Sequence, residues 1–388
     1  MATLLDNDLY KFTMMQAVWL KYPTAEVRYQ FINRRPTDTF TEEAVVLIQQ
    51  RINALAECQM TEEELQFLAK LPFINGDFIE FLRGFKLKAD TVQLELINGQ
   101  LGIWVTGTWV DTILWEVPLM AIISETYFEV VDTNWPDELD AYGARAMIKG
   151  DRLTEAGCDF FEFGTRRRRS YAYQDAVVAA FKKIGGTCGG TSNLHFAMKH
   201  GLNPVGTMAH EWIMGHAGLM GVEQANLNAL DAWLEVYQGR LDTALTDTYT
   251  TEYFLKNIAG RLAQTYDAVR HDSECPFVFA DRILEFYQDE AIDAATKGII
   301  FSDSLNVDKV IAIEQHVAER IKTWYGIGTH FTNDFGDSPA LNIVIKLYEV
   351  NGVKVAKISD NPIKASGDRL AVEQSLAALQ LTVVGVSN

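Results

Sequence analysis

The stretch "KGIIFSDSLNVDKVIAI" (residues 297–313) holds three kinds of sequence in a row. Gly298 to Phe301 is a short apolar run, of the length of a buried strand. Ser302, Asp303 and Ser304 are small and polar, as a loop requires. From Val307 onward the apolar residues recur at helical spacing. The same order of strand, loop and helix appears in "CDFFEFGTRRRRS" (158–170), "GGTCGGTSNLHFAMKHG" (185–201) and "NPVGTMAHEWIMGH" (203–216). It appears again in "YDAVRHDSECP" (266–276) and "IKTWYGIGTHFTND" (321–334). Such units in series predict parallel strands joined by crossover helices. An irregular α/β barrel is the closure this implies. The strand ends of a barrel meet on one face, where substrate sites form. Loops scattered from residue 158 to residue 334 are therefore expected to converge on one pocket.

The flanks read differently. "NDLYKFTMMQAVWLKY" (7–22) has Leu9, Phe12, Met15 and Val18 on one helical stripe, and "EVRYQFIN" (26–33) alternates like a strand. "EEAVVLIQQRINALAE" (42–57) and "TEEELQFLAKL" (61–71) predict helices, the second opened by a Thr61–Glu64 capping box. "TVQLELINGQLGIWVTG" (91–107) and "LNIVIKLYEVNGVKVAKISD" (341–360) each predict a hairpin around Asn-Gly. The expected division is an N-terminal part over 1–135, a barrel over 136–335 and a C-terminal hairpin segment over 336–388 returning to the N-terminal part.

Composition narrows the function classes. The chain has 388 residues, 48% hydrophobic and 22% charged, with a formal net charge of −18. This is the profile of a globular protein large enough for two domains. So acidic a chain is not expected to bind nucleic acid or an anionic membrane. No apolar run approaches the ~18 residues of a membrane span. "MATLLDNDLYKF" is too acidic and polar for a signal peptide. Cys58, Cys158, Cys188 and Cys275 lie far apart, form no CxxC pair and fit a reducing, cytoplasmic compartment.

Against that acidity, "EFGTRRRRS" (162–170) places four arginines in a row. A small, highly charged anion held at one point is the reading that fits. Arg166, directly after the strand end, is expected inside the pocket. Arg167, Arg168 and Arg169 are expected to pair with surface acids. The other loops supply matching chemistry. Gly164, Thr165, Thr207, Ser304, Gly326, Gly328 and Thr329 are small or hydroxylic, and such loops offer N–H groups and hydroxyls to phosphate oxygens. Arg270 adds a planar fork for phosphate or carboxylate. Asp272 and Asp303 suit ribose hydroxyls, or magnesium through water. His210 can accept a proton or a phosphoryl group. Singly, each residue also has a structural reading: a turn, a helix start, a buried histidine. No GxxxxGK[ST] loop, GxSxG elbow or GxGxxG turn is present, and the histidines of "HEWIMGH" are six apart rather than four.

"NDLYKFTMMQAV", "FEFGTRRRRS", "GGTSNLHFA", "GTMAHEWIMGH", "RHDS", "IFSDSLNVDK" and "YGIGTHFTND" together resemble the nicotinate phosphoribosyltransferases, in the same order and over nearly the whole chain. The resemblance implies a type II phosphoribosyltransferase, with an irregular α/β barrel beside an open α/β domain built from both chain ends. It implies ATP-coupled transfer of a phosphoribosyl group from 5-phosphoribosyl 1-diphosphate to nicotinate, giving nicotinate mononucleotide and diphosphate. The substrates would carry magnesium, with no metal held by side chains alone unless through Asp272 or Asp303.

Residue by residue, Tyr10 resembles the tyrosine that a neighbouring subunit lays against the pyridine ring, which implies a homodimer with shared sites. Phe163 would cover the other face of the ring. Arg166 and Arg270 would lie near its carboxylate and the phosphates. Ser192 stands where relatives preferring nicotinamide carry an aspartate. His210 resembles the histidine that ATP phosphorylates. Asp272, Ser273, Asp303, Gly328 and Thr329 resemble ribose and phosphate contacts, joined by Gly164, Thr165, Thr207, Ser304 and Gly326. The sequence departs from the family at "RHDSEC", where Glu274 and Cys275 replace a frequent Gly-Asp. The rival readings are transfer to nicotinamide or quinolinate, and a non-catalytic nucleotide-binding relative.

Overall fold

A computed structural model describes residues 3–136 and 138–381 of the chain. Residues 382–388, the end of the C-terminal segment, lie outside the described residues. The chain divides into two compact units. The first runs to Gly206 and takes in Ile327–Ile345; the second comprises Thr207–Gly326 and the segment from Lys346 onward.

In the first unit, strands β1 (Glu26–Asn33), β2 (Val92–Ile97) and β3 (Gln100–Thr108) are antiparallel, with β3 in the middle, paired to β1 on one side and to β2 on the other. Asn98 and Gly99 have φ of 51° and 76°, the left-handed pair that a two-residue hairpin turn needs, and Ile97 pairs with Gln100 across it. The helices Leu9–Lys21, Glu42–Ala56 and Glu62–Ala69 form where their periodicity predicts. The third opens with the Thr61–Glu64 capping box. Helix Leu9–Lys21 is buried over every residue from Leu9 to Val18, not along one stripe alone. Strands β4 (Phe160–Glu162) and β5 (Cys188–Thr191) pair in parallel, from Phe160 opposite Cys188 to Glu162 opposite Thr191. The helices after them are capped at once: Ser170 accepts from the Tyr173 N–H, and Asn193 from that of Phe196.

In the second unit, β6 (Thr243–Leu245), β7 (Ala268–His271), β8 (Gly298–Phe301) and β9 (Lys322–Ile327) run parallel, in register through Leu245, Arg270, Ile300 and Trp324. Each of the first three is followed by a helix, as the crossover rule requires. Asn306 caps helix Val307–Val317 by accepting from the Lys309 N–H, and Pro276 starts helix Pro276–Asp289. Trp212, Trp233, Tyr249, Tyr287 and Tyr325 fill the interior.

Two expectations need correction. The stretch around "NPVGTM" forms no strand, only an isolated bridge between Thr191 and Pro204. The missing parallel strand is β6, whose apolar content is Ala244 and Leu245 alone. The second Asn-Gly hairpin forms between β10 (Ile343–Val350) and β11 (Val353–Lys354), but its return strand stops after two residues. The chain then makes β12 (Ala356–Lys357), which pairs with β13 (Ser366–Gly367) instead. Among the described residues no helix is long and apolar enough to cross a membrane.

Candidate active site

Within the second unit the loops after β6 and β7 meet the start of helix His210–Met220. Ala209, with no side-chain acceptor, is the N-cap, so His210 is not a capping residue. Its ring is buried and bound on both sides. Nδ1 lies 3.0 Å from Thr248 Oγ1, and Nε2 lies 2.9 Å from Asp272 Oδ2. Lys357 Nζ donates to the same Nε2 at 2.9 Å. Lys357 also lies 2.9 Å from Asp247 Oδ2, which accepts from Ser273 Oγ at 2.6 Å and Ser359 Oγ at 3.0 Å. Burial and the Lys357 charge push His210 down to about 4, so the imidazole is neutral at physiological pH. Burial pushes Asp247 and Asp272 up, but Lys357 and His210 outweigh it and hold both below the usual carboxylate range.

The remaining expected residues of this unit lie on its strands and the loops beside them. Arg270 Nε donates to Ser302 Oγ at 2.8 Å, and its guanidinium lies 3.5 Å from Asp272 Oδ1. Lys364 Nζ donates to the Asp272 carbonyl at 2.8 Å and to Asp303 Oδ1 at 2.5 Å. Ser304 Oγ also donates to Asp303, at 2.9 Å. Thr207 Oγ1 donates to the Thr243 carbonyl at 3.2 Å, and Gly326 is buried inside β9. Asp247, Thr248, Lys357 and Lys364 were not legible in the sequence. The first two follow a strand too short to show a period. Lys357 sits in what reads as a plain hairpin strand, and Lys364 lies beyond that strand in the single turn Pro362–Lys364.

His210, Asp247 and Asp272 offer ligand atoms within 4.8 Å of one another, the spacing of a metal site. The Lys357 ammonium already contacts all three, at 2.9 Å from His210 and Asp247 and 3.7 Å from Asp272. A divalent ion would be repelled there, so this set does not fit a side-chain-held metal. The second oxygen of Asp272 faces Arg270 and Ser302, and Asp303 is engaged by Lys364.

Within the first unit, Ser192 Oγ donates to Asp8 Oδ1 at 2.8 Å, and the Leu9 N–H donates to the Ser192 carbonyl at 2.8 Å. This sets Tyr10 beside the strand-end loops, buried in its own chain. Gly206, at φ 144°, passes so close that a Cβ there would come within 3.3 Å of the Tyr10 nitrogen. Phe163 is half-buried and stacks on Phe161 at 6.0 Å. Arg166 is half-exposed, 3.6 Å from Glu116, whose other oxygen holds Lys11 at 2.5 Å. Burial raises Asp8 despite the Arg166 charge. Glu162 ties the two loops together: it accepts from the Gly164 N–H at 2.5 Å, Thr191 Oγ1 at 2.6 Å and Gln174. Burial pushes it up to about 7. Thr165 Oγ1 is buried, accepting from Gln174 and Asn193. Gly328 precedes the single turn Thr329–Thr332, and a Cβ on it would meet the Phe163 carbonyl at 3.1 Å.

The arginine run divides differently from its sequence reading. Arg168 and Arg169 are buried rather than paired with surface acids. Arg168 forks onto Asp6 at 2.9 and 2.7 Å and reaches Glu125 at 2.7 Å. Arg169 bonds Asn333 and Ser338 and stacks on Phe128, 3.6 Å from its ring centre. Arg168→Met is expected to cost about 3 kcal/mol of stability, because it strands two carboxylates that are mostly withdrawn from water. A lysine lacks the fork, so Arg168→Lys is not silent either. Urea denaturation of both variants checks this; a parent-like midpoint for Arg168→Met contradicts it.

Comparison with known proteins decides the family. Residues 158–382 match the nicotinate phosphoribosyltransferase (NAPRTase) family model, and residues 5–124 match that of the NAPRTase N-terminal domain. The chain belongs to the nicotinate phosphoribosyltransferase family. It is 42% identical to nicotinate phosphoribosyltransferase of Methanosarcina mazei, with 95% of this chain and 96% of the relative covered. The Chromohalobacter salexigens enzyme of that name is 40% identical, with 98% of each covered. The crystal structure of nicotinate phosphoribosyltransferase from Porphyromonas gingivalis superposes with a TM-score of 0.94 at 36% identity, over 98% of this chain and 100% of that one. A putative nicotinate phosphoribosyltransferase from Saccharomyces cerevisiae gives 0.93 at 38%, over 98% and 99%. The architecture of parallel strands with an antiparallel sheet is therefore that of the NAPRTases, in keeping with a barrel and an open α/β domain. The departure at Glu274 has a local cost. Its φ of 77° lies in the region that favours glycine, which costs a non-glycine residue about 1–2 kcal/mol. An ion pair with Arg282 at 2.8 Å offsets part of it, and Cys275 beside it is exposed.

Proposed function

We propose that the protein transfers the 5-phosphoribosyl group from 5-phosphoribosyl 1-diphosphate to nicotinate, with ATP as the drive, in NAD biosynthesis and salvage. The products are nicotinate mononucleotide and diphosphate. The observation that carries the ATP-coupled reading is His210: a buried, neutral imidazole held between Asp247, Asp272 and Lys357. A neutral imidazole has the lone pair that attacks a phosphoryl group. In this reading Tyr10 and Phe163 sandwich the pyridine ring, Arg166 and Arg270 receive carboxylate and phosphate charge, and Ser192 leaves the carboxylate unopposed. Asp272, Ser273, Asp303, Ser304, Gly164, Thr165, Thr207, Gly326, Gly328 and Thr329 serve the phosphoribosyl and phosphate groups. Magnesium arrives on the polyphosphates. In this reading residues 136–335 are the domain that carries most of the site, 1–135 supplies Tyr10, and 336–388 supplies Lys357 and Lys364. The well-separated free cysteines favour work in the reducing cytoplasm.

Incubation with ATP labelled at the γ-phosphate tests the reading. Labelling of His210 is expected; its absence would count against the ATP drive, and its absence together with no nicotinate mononucleotide formation would leave a non-catalytic nucleotide-binding relative. Quinolinate needs a second carboxylate site and has no use for a phosphohistidine.

The working form is a homodimer in which Tyr10 completes the neighbour's site. Tyr10→Ala and His210→Ala chains, each inactive in the ATP-driven reaction, are then expected to regain part of it when mixed. One site of the hybrid has both residues intact. No recovery in verified hybrids would place Tyr10 in the site of its own chain.

A further inference from the structure

The charges around His210 do not cancel. Two carboxylates face its Nε2, Asp272 at 2.9 Å and Asp247 at 3.7 Å. One ammonium, that of Lys357, faces it at 2.9 Å. On the other side Nδ1 meets the neutral Thr248 hydroxyl. One layer out, Arg270 lies 3.5 Å from Asp272, Lys364 binds the Asp272 carbonyl and Asp303, and Asp360 reaches Ser273 at 3.4 Å. All of these belong to the second unit.

An ammonium can only donate a hydrogen bond, and a carboxylate can only accept one. A neutral ring with its lone pair on Nε2 satisfies Lys357. An imidazolium would set N–H against ammonium, donor to donor and cation to cation, at 2.9 Å. Without the lysine, the same ring would face the buried Asp247 and the partly exposed Asp272 with no opposing cation, a setting that favours a protonated histidine against the cost of burial. Lys357 is 3% exposed, so water screens little of its charge. Its place depends on the short β12–β13 ribbon, where it pairs with Ser366.

We propose that Lys357 is the positioning residue that keeps His210 uncharged, and so able to act as a nucleophile, at neutral pH. The consequence for ATP rests on the function proposed above; the charge state of His210 does not. In that reaction a ring nitrogen forms a bond to the γ-phosphorus as the bond to the β–γ bridging oxygen breaks, and ADP leaves. The attacking lone pair is that of Nε2, and the remaining ring proton stays on Nδ1, facing the Thr248 hydroxyl oxygen at 3.0 Å. An imidazolium has no lone pair with which to begin.

The test is a titration of 15N-histidine-labelled protein by NMR from about pH 5 to about pH 9, across the ordinary histidine value of ~6.5. The His210 signal is assigned as the one lost in His210→Gln. In the parent and in Lys357→Arg it is expected to stay neutral throughout. In Lys357→Met it is expected to titrate at ~7 or above, because removing a neighbouring cation raises the histidine. γ-Phosphate labelling of Lys357→Met should then fall about tenfold between roughly pH 8.5 and pH 6, while the parent changes less than about twofold. A neutral His210 in Lys357→Met down to about pH 5 overturns the proposal. If Lys357→Met does not fold, Lys357→Gln removes the charge with a polar side chain. If that also fails, a parent His210 signal that titrates near ~6.5 with Lys357 intact overturns it. A parent that never labels, but titrates as expected, counts against the phosphohistidine and not against Lys357.

Discussion

His210→Gln is expected to fold normally, abolish ATP hydrolysis and keep a slow synthesis of nicotinate mononucleotide that no longer responds to ATP. Phosphoribosyl transfer needs no histidine nucleophile, because diphosphate is already a good leaving group. What His210 adds is energy transduction through a covalent phosphoryl intermediate. The phosphorylated protein would favour a state that binds 5-phosphoribosyl 1-diphosphate tightly, and hydrolysis would release product. A few kcal/mol of differential binding suffices for such a shift. Glutamine suits the site. Its amide can donate to Asp272 and accept from Lys357, the two groups that flank Nε2 at 2.9 Å. It also leaves the cap unchanged, since Ala209 holds that position. If His210 only packs, stability and ATP-free activity should fall together. Nicotinate mononucleotide formation with and without ATP, beside a thermal melt, separates the two. ATP stimulation that survives in His210→Gln would end the phosphohistidine account.

Ser192→Asp is expected to lower kcat/KM for nicotinate at least about tenfold, each ~1.4 kcal/mol being one factor of ten. The new carboxylate would repel that of the base and favour nicotinamide in relative terms. The structure adds a pH dependence. Ser192 Oγ lies 2.8 Å from Asp8, which burial already raises. Two carboxylates this close share a proton. At low pH the shared proton removes part of the new charge, so the loss is smaller near pH 6 and larger near pH 8. Ser192→Ala removes the hydrogen bond without adding charge and should be milder. Unchanged kinetics with both bases would show that Ser192 does not face the ring substituent.

What the sequence revealed was local. Both Asn-Gly turns, the Thr61–Glu64 box and the strand–loop–helix units around β4, β5, β7, β8 and β9 depend on residues within a few positions of one another. What it hid was set by distant partners. β6 has three residues and exists through its ladder with β7, so Asp247 and Thr248 went unseen beside a site whose other loops were found. Lys357 reaches His210 across 147 positions of sequence. Arg168 and Arg169 look identical to Arg166 in the run, yet Asp6, Glu125, Asn333 and Ser338 draw them into the interior. Glu274 could be flagged as a departure from the family, but only the backbone shows that it accepts a glycine-like φ.

The central claim is tested most directly by product analysis of the purified protein. Nicotinate, nicotinamide and quinolinate are each supplied with 5-phosphoribosyl 1-diphosphate and magnesium, with and without ATP. The account predicts nicotinate mononucleotide as the main product, formed faster with ATP, with little turnover of nicotinamide and none of quinolinate. Preferred turnover of nicotinamide or quinolinate, or nicotinate turnover indifferent to ATP, would contradict it.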